Sequence, residues 1–286
     1  MTSVPSGSGT TCLVTGATNP ASIGYAVAKK LLELGASYHV TLMGRDQVKV
    51  DAAVALLQQS VGTVSGVVGD LKQPETMKQV AEEAAKKMGG RIGMLVCCGG
   101  NGYSEYLGLD VNDPQSYHMM QDVAVLSPMF LAEACFPYLS QSPHGGTVVF
   151  VGSVSATVPW PNTAPHNIAM ASKTTMAQTL AFKYRNDNVR VNVVAAGVIH
   201  TGALDVMAEK KGKSVEEYAA LRASAQPLGR NGTLDDVANA VMYLATPASG
   251  FTTGEIIRVD GGLHLSNWWN QQVMLKEYVG GTGAKN

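Results

Sequence analysis

Short apolar runs alternate with stretches of helical periodicity along most of this chain, and that alternation leaves few folds open to it. The runs occupy residues 11–15, 39–43, 66–68, 94–98, 147–151, 191–195 and 256–259. Each is too short to be a helix and is bounded by turn residues, so each reads as a buried strand. Helical segments lie between most of them, which places the strands side by side and parallel. The expected architecture is therefore α/β: one doubly wound, seven-stranded parallel sheet between two layers of helices. No boundary divides residues 11–265, which are expected to form a single domain. Residues 1–10 read as a flexible lead and residues 266–286 as a frayed tail.

Composition narrows the function. Lys and Arg total 21 against 22 Asp and Glu, a net charge of −1, so no general positive field exists to hold nucleic acid or an anionic membrane. Charged residues make up 15% of the 286, below the roughly 25% of a typical domain, and hydrophobic residues 45%, which excludes a disordered chain. No apolar run approaches the ~18 residues of a membrane span, and the first ten residues are Ser/Gly-rich rather than signal-like. A soluble cytoplasmic protein is expected, and an organelle such as the peroxisome stays open although Ala284-Lys285-Asn286 is not the usual peroxisomal ending. Cys12, Cys97, Cys98 and Cys135 lie in apolar stretches without metal-ligand spacing, which suits buried thiols; no metal is expected.

The first strand runs into Thr15-Gly16-Ala17-Thr18-Asn19-Pro20-Ala21-Ser22-Ile23-Gly24. Such a turn lets the main chain approach a phosphate and aims a helix N-terminus at it. The second strand ends in Gly44-Arg45-Asp46, with no carboxylate at the position where an NAD site usually holds ribose hydroxyls. Arg45 offers a planar cation for a 2′-phosphate, which favours NADPH/NADP+; the competing account is a solvated Arg45 paired with Asp46. Asp70, after the third strand, could accept from an adenine amine or simply cap a turn. The stretch 197–230 is long for a connection, and Ser214-Val215-Glu216-Glu217 has capping-box spacing for a short helix, so this insertion is expected to cover a site.

Thr15-Gly16, Gly44-Arg45, Gly69-Asp70-Leu71, Arg190-Val191-Asn192, Pro227-Leu228-Gly229-Arg230 and Val259-Asp260-Gly261-Gly262 fall in the order and spacing of the short-chain dehydrogenase/reductase family, which the chain resembles over about residues 10–265. The resemblance implies a Rossmann-type fold that binds NAD(P), a small-molecule substrate at the carboxyl ends of the strands, and a homodimer or homotetramer. It implies cofactor contacts at Gly16, Thr18, Ser22, Ile23, Arg45, Asp70, Leu71, Cys98, Gly99, Lys173, Gly197, Ile199 and Thr201. The opening turn is longer than the common Gly-x-x-x-Gly-x-Gly and carries Ser22 for its middle Gly, like the divergent branch of enoyl-acyl-carrier-protein reductases.

The family's catalytic quartet is Asn, Ser, Tyr and Lys, and here it is incomplete. Ser153 stands at the Ser position, and Ala169-Met170-Ala171-Ser172-Lys173 resembles the Tyr-x-x-x-Lys helix with Ala169 in place of Tyr. Ala124, in an expected helix over residues 119–135, takes the place of Asn. His166 lies thirteen positions after Ser153, the family spacing from Ser to Tyr, and seven before Lys173, the Tyr-to-Lys spacing of the enoyl reductases. Imidazole donates protons near neutral pH, so His166 is a candidate acid, against a loop histidine without a role. Dienoyl-CoA reductases also lack Tyr at the ordinary place, so the gap alone does not mean lost activity. Tyr103, Tyr106 and Trp160 are expected on loops facing the substrate, against ordinary loop packing for each singly, and Trp268 with Trp269 at a subunit contact or a neighbouring site. The expectation is an NADPH-dependent reductase acting on an activated C=C, C=O or C=N of a small apolar molecule; the alternative is a silent NADP(H)-binding member serving as sensor or assembly subunit.

Overall fold

Seven strands, β1 (Thr10–Thr15), β2 (Tyr38–Gly44), β3 (Thr63–Val68), β4 (Met94–Cys97), β5 (Gly146–Ser153), β6 (Val189–Ala196) and β7 (Ile256–Val259), form one sheet in the order β3-β2-β1-β4-β5-β6-β7. Every pairing is parallel. The computed structural model describes residues 10–100 and 110–265. The chain winds from β1 out to β3, then crosses back to β4, which leaves a crevice between β1 and β4 at the carboxyl rim. In open parallel sheets that reversal of direction is where ligands bind.

The strands form where β-branched and aliphatic residues crowd, and alternation along each one divides the core in two. Leu13, Leu95, Val148 and Phe150 face the layer made by α3 (Met77–Lys87), α5 (Ser127–Leu139) and α6 (Ala164–Lys183). Cys12, Val14, Val149 and Val151 face α1 (Ile23–Glu33), α2 (Gln47–Leu57) and α9 (Leu234–Ala245). Both faces are buried, as a parallel sheet requires. Several strands run further than their apolar stretches predict. β5 continues to Ser153 because β6 pairs with it through Ser153↔Ala196, so hydrogen bonding carries the strand to the rim.

The helix expected over residues 119–135 is part of a longer one. α4 (Pro114–Gln121) passes through a π-helical turn, Asp122–Leu126, into α5 without a break. This stretch, Pro114–Leu139, is long and apolar enough to cross a membrane by length and composition, contrary to expectation. Its apolar side is already used: Met120, Val123, Ala124, Leu131, Ala132, Cys135 and Leu139 are buried against the sheet.

The insertion carries α7 (Gly202–Lys210) and α8 (Val215–Ser224), the latter opened by the Ser214/Glu217 capping box. Its ends are drawn together by the bridge Ile199↔Gly232. Val198, Leu204, Met207 and Tyr218 pack with Val154, Trp160 and Leu263 as a third apolar cluster above the rim.

Candidate active site

The opening turn closes on itself so tightly that side chains are excluded from it. Gly16 has φ +67°, and a Cβ there would lie 2.8 Å from Gly99 N. A Cβ on Gly24 would lie 2.6 Å from Gly16 O, and one on Gly99 2.6 Å from the Leu71 side chain. Three glycines thus bring the ends of β1 and β4 and the start of α1 together. Thr15 Oγ1 accepts from Gly99 N at 3.1 Å and locks the two strands at the crevice. Ser22 is the N-cap of α1; its hydroxyl lies 2.6 Å from Asn19 O and accepts from Tyr25 N. The amides of Ile23 and Gly24 have no partner among the described residues and point out of the helix end, the usual anion-binding arrangement.

At the end of β2 the place of a ribose-binding carboxylate is filled by something else. A Cβ on Gly44 would run into the Thr18 methyl, so Thr18 shapes this wall by occupying space. Arg45 is exposed and makes no ion pair among the described residues. Asp46, the partner considered for it, is engaged as the N-cap of α2, accepting from Lys49 N at 3.1 Å. Asp70 accepts from Lys72 N at 3.0 Å and so caps its own turn, with its second oxygen unengaged among the described residues. Leu71 O accepts from Ser127 Oγ at 2.7 Å, which ties this loop to α5.

The far side of the rim is also main chain. Gly197 lies against Asp260, where a Cβ would come within 2.6 Å of Cα, and Gly197 N donates to Val259 O. Ile199 is buried, and Thr201 caps α7 through Ala203 N. Gly202 N reaches back to Ala21 O at 3.2 Å, so the insertion is hung on the opening turn.

Along β5 and α6 the candidate catalytic groups separate. Ser153 stands at the rim, partly exposed, and its Oγ accepts from Ser155 N at 3.2 Å, leaving its own proton to donate. His166 is buried near the start of α6. Lys173 is fully buried, and Nζ donates to Val151 O at 3.1 Å, two residues inside the rim. A Cβ on Gly152 would lie 3.1 Å from the Val193 side chain and in ordinary contact, 4.0 Å, with Lys173 Cδ. Burial lowers the Lys173 pKa from 10.5 to about 8, and the same burial pushes the Cys97 thiol up to about 12 and Cys98 higher still. The thiols are thus poor nucleophiles and serve as small apolar packing under the site.

Helix α6 is continuous from residue 164, so positions on it count without gaps. One turn beyond His166 stands Met170, also buried, whereas Lys173 lies a further turn along. If His166 takes the Tyr position, Met170 takes the Lys position; the i+4 step from His166 was the signal available for finding it. Ala124 lies in the π-helical turn, and its neighbour Val123 places its carbonyl where a Cβ on Gly100 would be. Trp160 is packed into the loop cluster above the rim. It is buried among the insertion residues, with the Arg222 guanidinium 5.6 Å from its ring centre, and its carbonyl accepts from Asn167 Nδ2 at 2.8 Å. Tyr103, Tyr106, Trp268 and Trp269 lie outside the described residues.

A cavity of about 370 Å³ opens at the opposite, amino end of the sheet, lined in part by Arg91, Tyr138, His144 and Arg190. Arg190 there donates to the carbonyls of Leu244, Thr246 and Thr252, which holds the end of α9 rather than a ligand.

A family model described as enoyl-(acyl carrier protein) reductase matches residues 16–264. Dehydrogenase/reductase SDR family member 4 of Caenorhabditis elegans is 31% identical over 264 residues, covering 89% of this chain and 95% of that protein. A short-chain type dehydrogenase/reductase from Mycobacterium ulcerans has a similar structure, with TM-score 0.79 at 25% identity over 91% of each chain. The fold is also that of L-sorbose reductase from Gluconobacter frateurii, solved with NADPH and L-sorbose, at TM-score 0.78 and 23% identity over 91% of this chain and 98% of that one.

Proposed function

This chain belongs to the short-chain dehydrogenase/reductase family of oxidoreductases, and from that premise we propose that it is an NADPH-dependent reductase with an atypical proton donor. The observation that carries the cofactor choice is Arg45, exposed and without an ion pair among the described residues, beside a Gly44 whose side-chain space Thr18 fills. The residues suit a phosphorylated dinucleotide: Gly16 and Gly99 let the turn and the end of β4 pack closely at the crevice, the amides of Ile23 and Gly24 face its phosphates, and Arg45 meets the 2′-phosphate. Leu71 and Cys98 border the adenosine, Asp70 offers an acceptor to adenine, and Gly197, Ile199 and Thr201 line the carboxamide. When bound, NADPH supplies hydride. Ser153 donates to a substrate oxygen, and His166 supplies the proton that the family ordinarily takes from Tyr. Lys173, in the ribose-holding role, has to exchange Val151 O for the ribose.

The first substrate class is a C=C activated by a thioester or carbonyl, in a homodimer or homotetramer. Carbonyl and imine acceptors come second; an iminium needs no proton donor in the hydride step. Titration of NADPH and NADH fluorescence tests the cofactor. Arg45→Gln should weaken NADPH about tenfold to a hundredfold, the worth of a charge-assisted bond of ~1.5–3 kcal/mol, and leave NADH unchanged. Wild type that prefers NADH sinks the assignment. Turnover is tested with enones, enoyl thioesters, quinones and imines, and His166→Phe should abolish reduction of the oxygen acceptors. Met170 one turn from His166, Ala124 and the inward Lys173 favour the second reading, a silent NADP(H)-binding protein, which binds NADPH but consumes none with any acceptor.

A further inference from the structure

We infer that Ser155 is a second hydroxyl donor of the substrate site, and that with Ser153 it holds a substrate oxygen that gathers negative charge. The inference rests on the reading above, in which Ser153 faces the substrate. Ser155 is 2% exposed, and its Oγ has no hydrogen-bond partner among the described residues. A buried hydroxyl left in that condition destabilises the fold, and alanine would fill the same place without the cost. Local explanations are used up. Ser155 N is bound to Ser153 Oγ, and the Val154 carbonyl is taken by Thr157 and Val158.

Its position points to the substrate. Ser155 is the middle residue of the short 3-10 turn Val154–Ala156 that leaves the rim directly after Ser153. Val154 packs into the insertion cluster, while Ala156 packs against the core of the α5–α6 layer. Ser155 therefore sits at the seam between the cover and the helix that carries His166. The Ser155 N bond to Ser153 Oγ fixes both serines in one turn while leaving both hydroxyl protons free to donate.

Two hydroxyl donors select among the acceptor classes. When hydride adds to the β-carbon of a conjugated thioester or ketone, the C=C pair becomes the enolate C=C and the carbonyl pair moves onto oxygen. A proton from His166 then completes the reduction, and NADPH is left as NADP+. Donors preset for that oxygen stabilise the charged state more than the neutral substrate, so they act on kcat. Iminium reduction generates no such oxygen. The paired serines thus point to a carbonyl-conjugated or carbonyl substrate.

The test is Ser155→Ala, with Ser155→Thr as the variant that restores a hydroxyl. Cofactor-free Ser155→Ala should melt at or above the wild-type temperature, because the unsatisfied group is gone. With NADPH and an enone or enoyl thioester, its kcat should fall about tenfold to a hundredfold with KM little changed, and Ser155→Thr should recover part of the loss. With NADP+, the carboxylate hexanoate, a stable stand-in for the charged oxygen, should bind Ser155→Ala at least tenfold more weakly in calorimetry. A lower melting temperature for Ser155→Ala, equal kcat, or equal or absent hexanoate binding in wild type overturns the inference. Absence of turnover in wild type removes the reductase reading instead, and the hexanoate comparison still decides the role of Ser155.

Discussion

Lys173 illustrates how far the surroundings of one residue decide its chemistry. Its Nζ bonds to Val151 O in a fully buried place, and desolvation lowers its pKa to about 8, with Cys97 and Cys98 acting weakly in the opposite direction. Between pH 8 and its ordinary value of 10.5, the unfolded chain therefore holds a proton that the folded chain has released. Lys173's own contribution to stability rises with pH across that window, by up to about 3 kcal/mol for a shift of this size, with the penalty fully present below pH 8. The buried thiols, whose pKa values are raised, contribute a slope of the opposite sign. In denaturant unfolding from pH 7.5 to 10.5, the stability of wild type minus that of Lys173→Met should rise with pH, since the thiol contribution is common to both. Parallel curves for the two proteins would mean that the ammonium is better solvated than its position implies. That a lysine belongs to this helix was legible from spacing; that it turns inward was not, because spacing does not say how α6 is rotated against β5.

Helix ends were the most legible elements. Ser22 and Ser214 cap the helices expected after them and Thr233 caps α9 in the same way, since the groups involved are local in the chain. The start of α9 goes further than a cap. Thr233 Oγ1 accepts from Asp236 N, Asp236 accepts from Thr233 N, and Arg230 grips both carboxylate oxygens. Arg230 first, then Thr233, hold the Asp236 carboxyl well below its usual range. Its contribution is complete above the ordinary carboxylate pKa of 3.8 and drains away as pH falls below it. Thr233→Ala should cost about 1 kcal/mol at neutral pH, and less in acid, by thermal unfolding. The π-helical turn joining α4 to α5 has one local mark, Pro128 just beyond it, which has no N–H to give the Ala124 carbonyl; its packing around Gly100 is set by tertiary contacts.

Across the whole molecule, the candidate cofactor site draws on parts far apart in sequence: the turn after β1, the end of β2, the end of β4 and the insertion. Ligand binding there should stabilise the entire fold. NADP+ at one hundred times its Kd should raise the unfolding free energy by about 2.7 kcal/mol, and the same concentration should do less for Arg45→Gln. Differential scanning fluorimetry checks both. A melting temperature unmoved by NADP+ in wild type would contradict the proposed site.

By itself the sequence determined the strands, most helix ends, the glycine-containing opening turn and the absence of a carboxylate at Gly44, because each follows from side-chain type or from residues within a few positions of one another. Tertiary structure alone decided that Thr18 closes the space at Gly44, that Asp46 is spent on its helix and leaves Arg45 without an ion pair among the described residues, that Trp160 is buried and Lys173 points inward, and that Ser155 lies buried beside Ser153. Those facts depend on the rotation of helices against the sheet and on contacts between residues distant in the chain, and neither is encoded in local pattern.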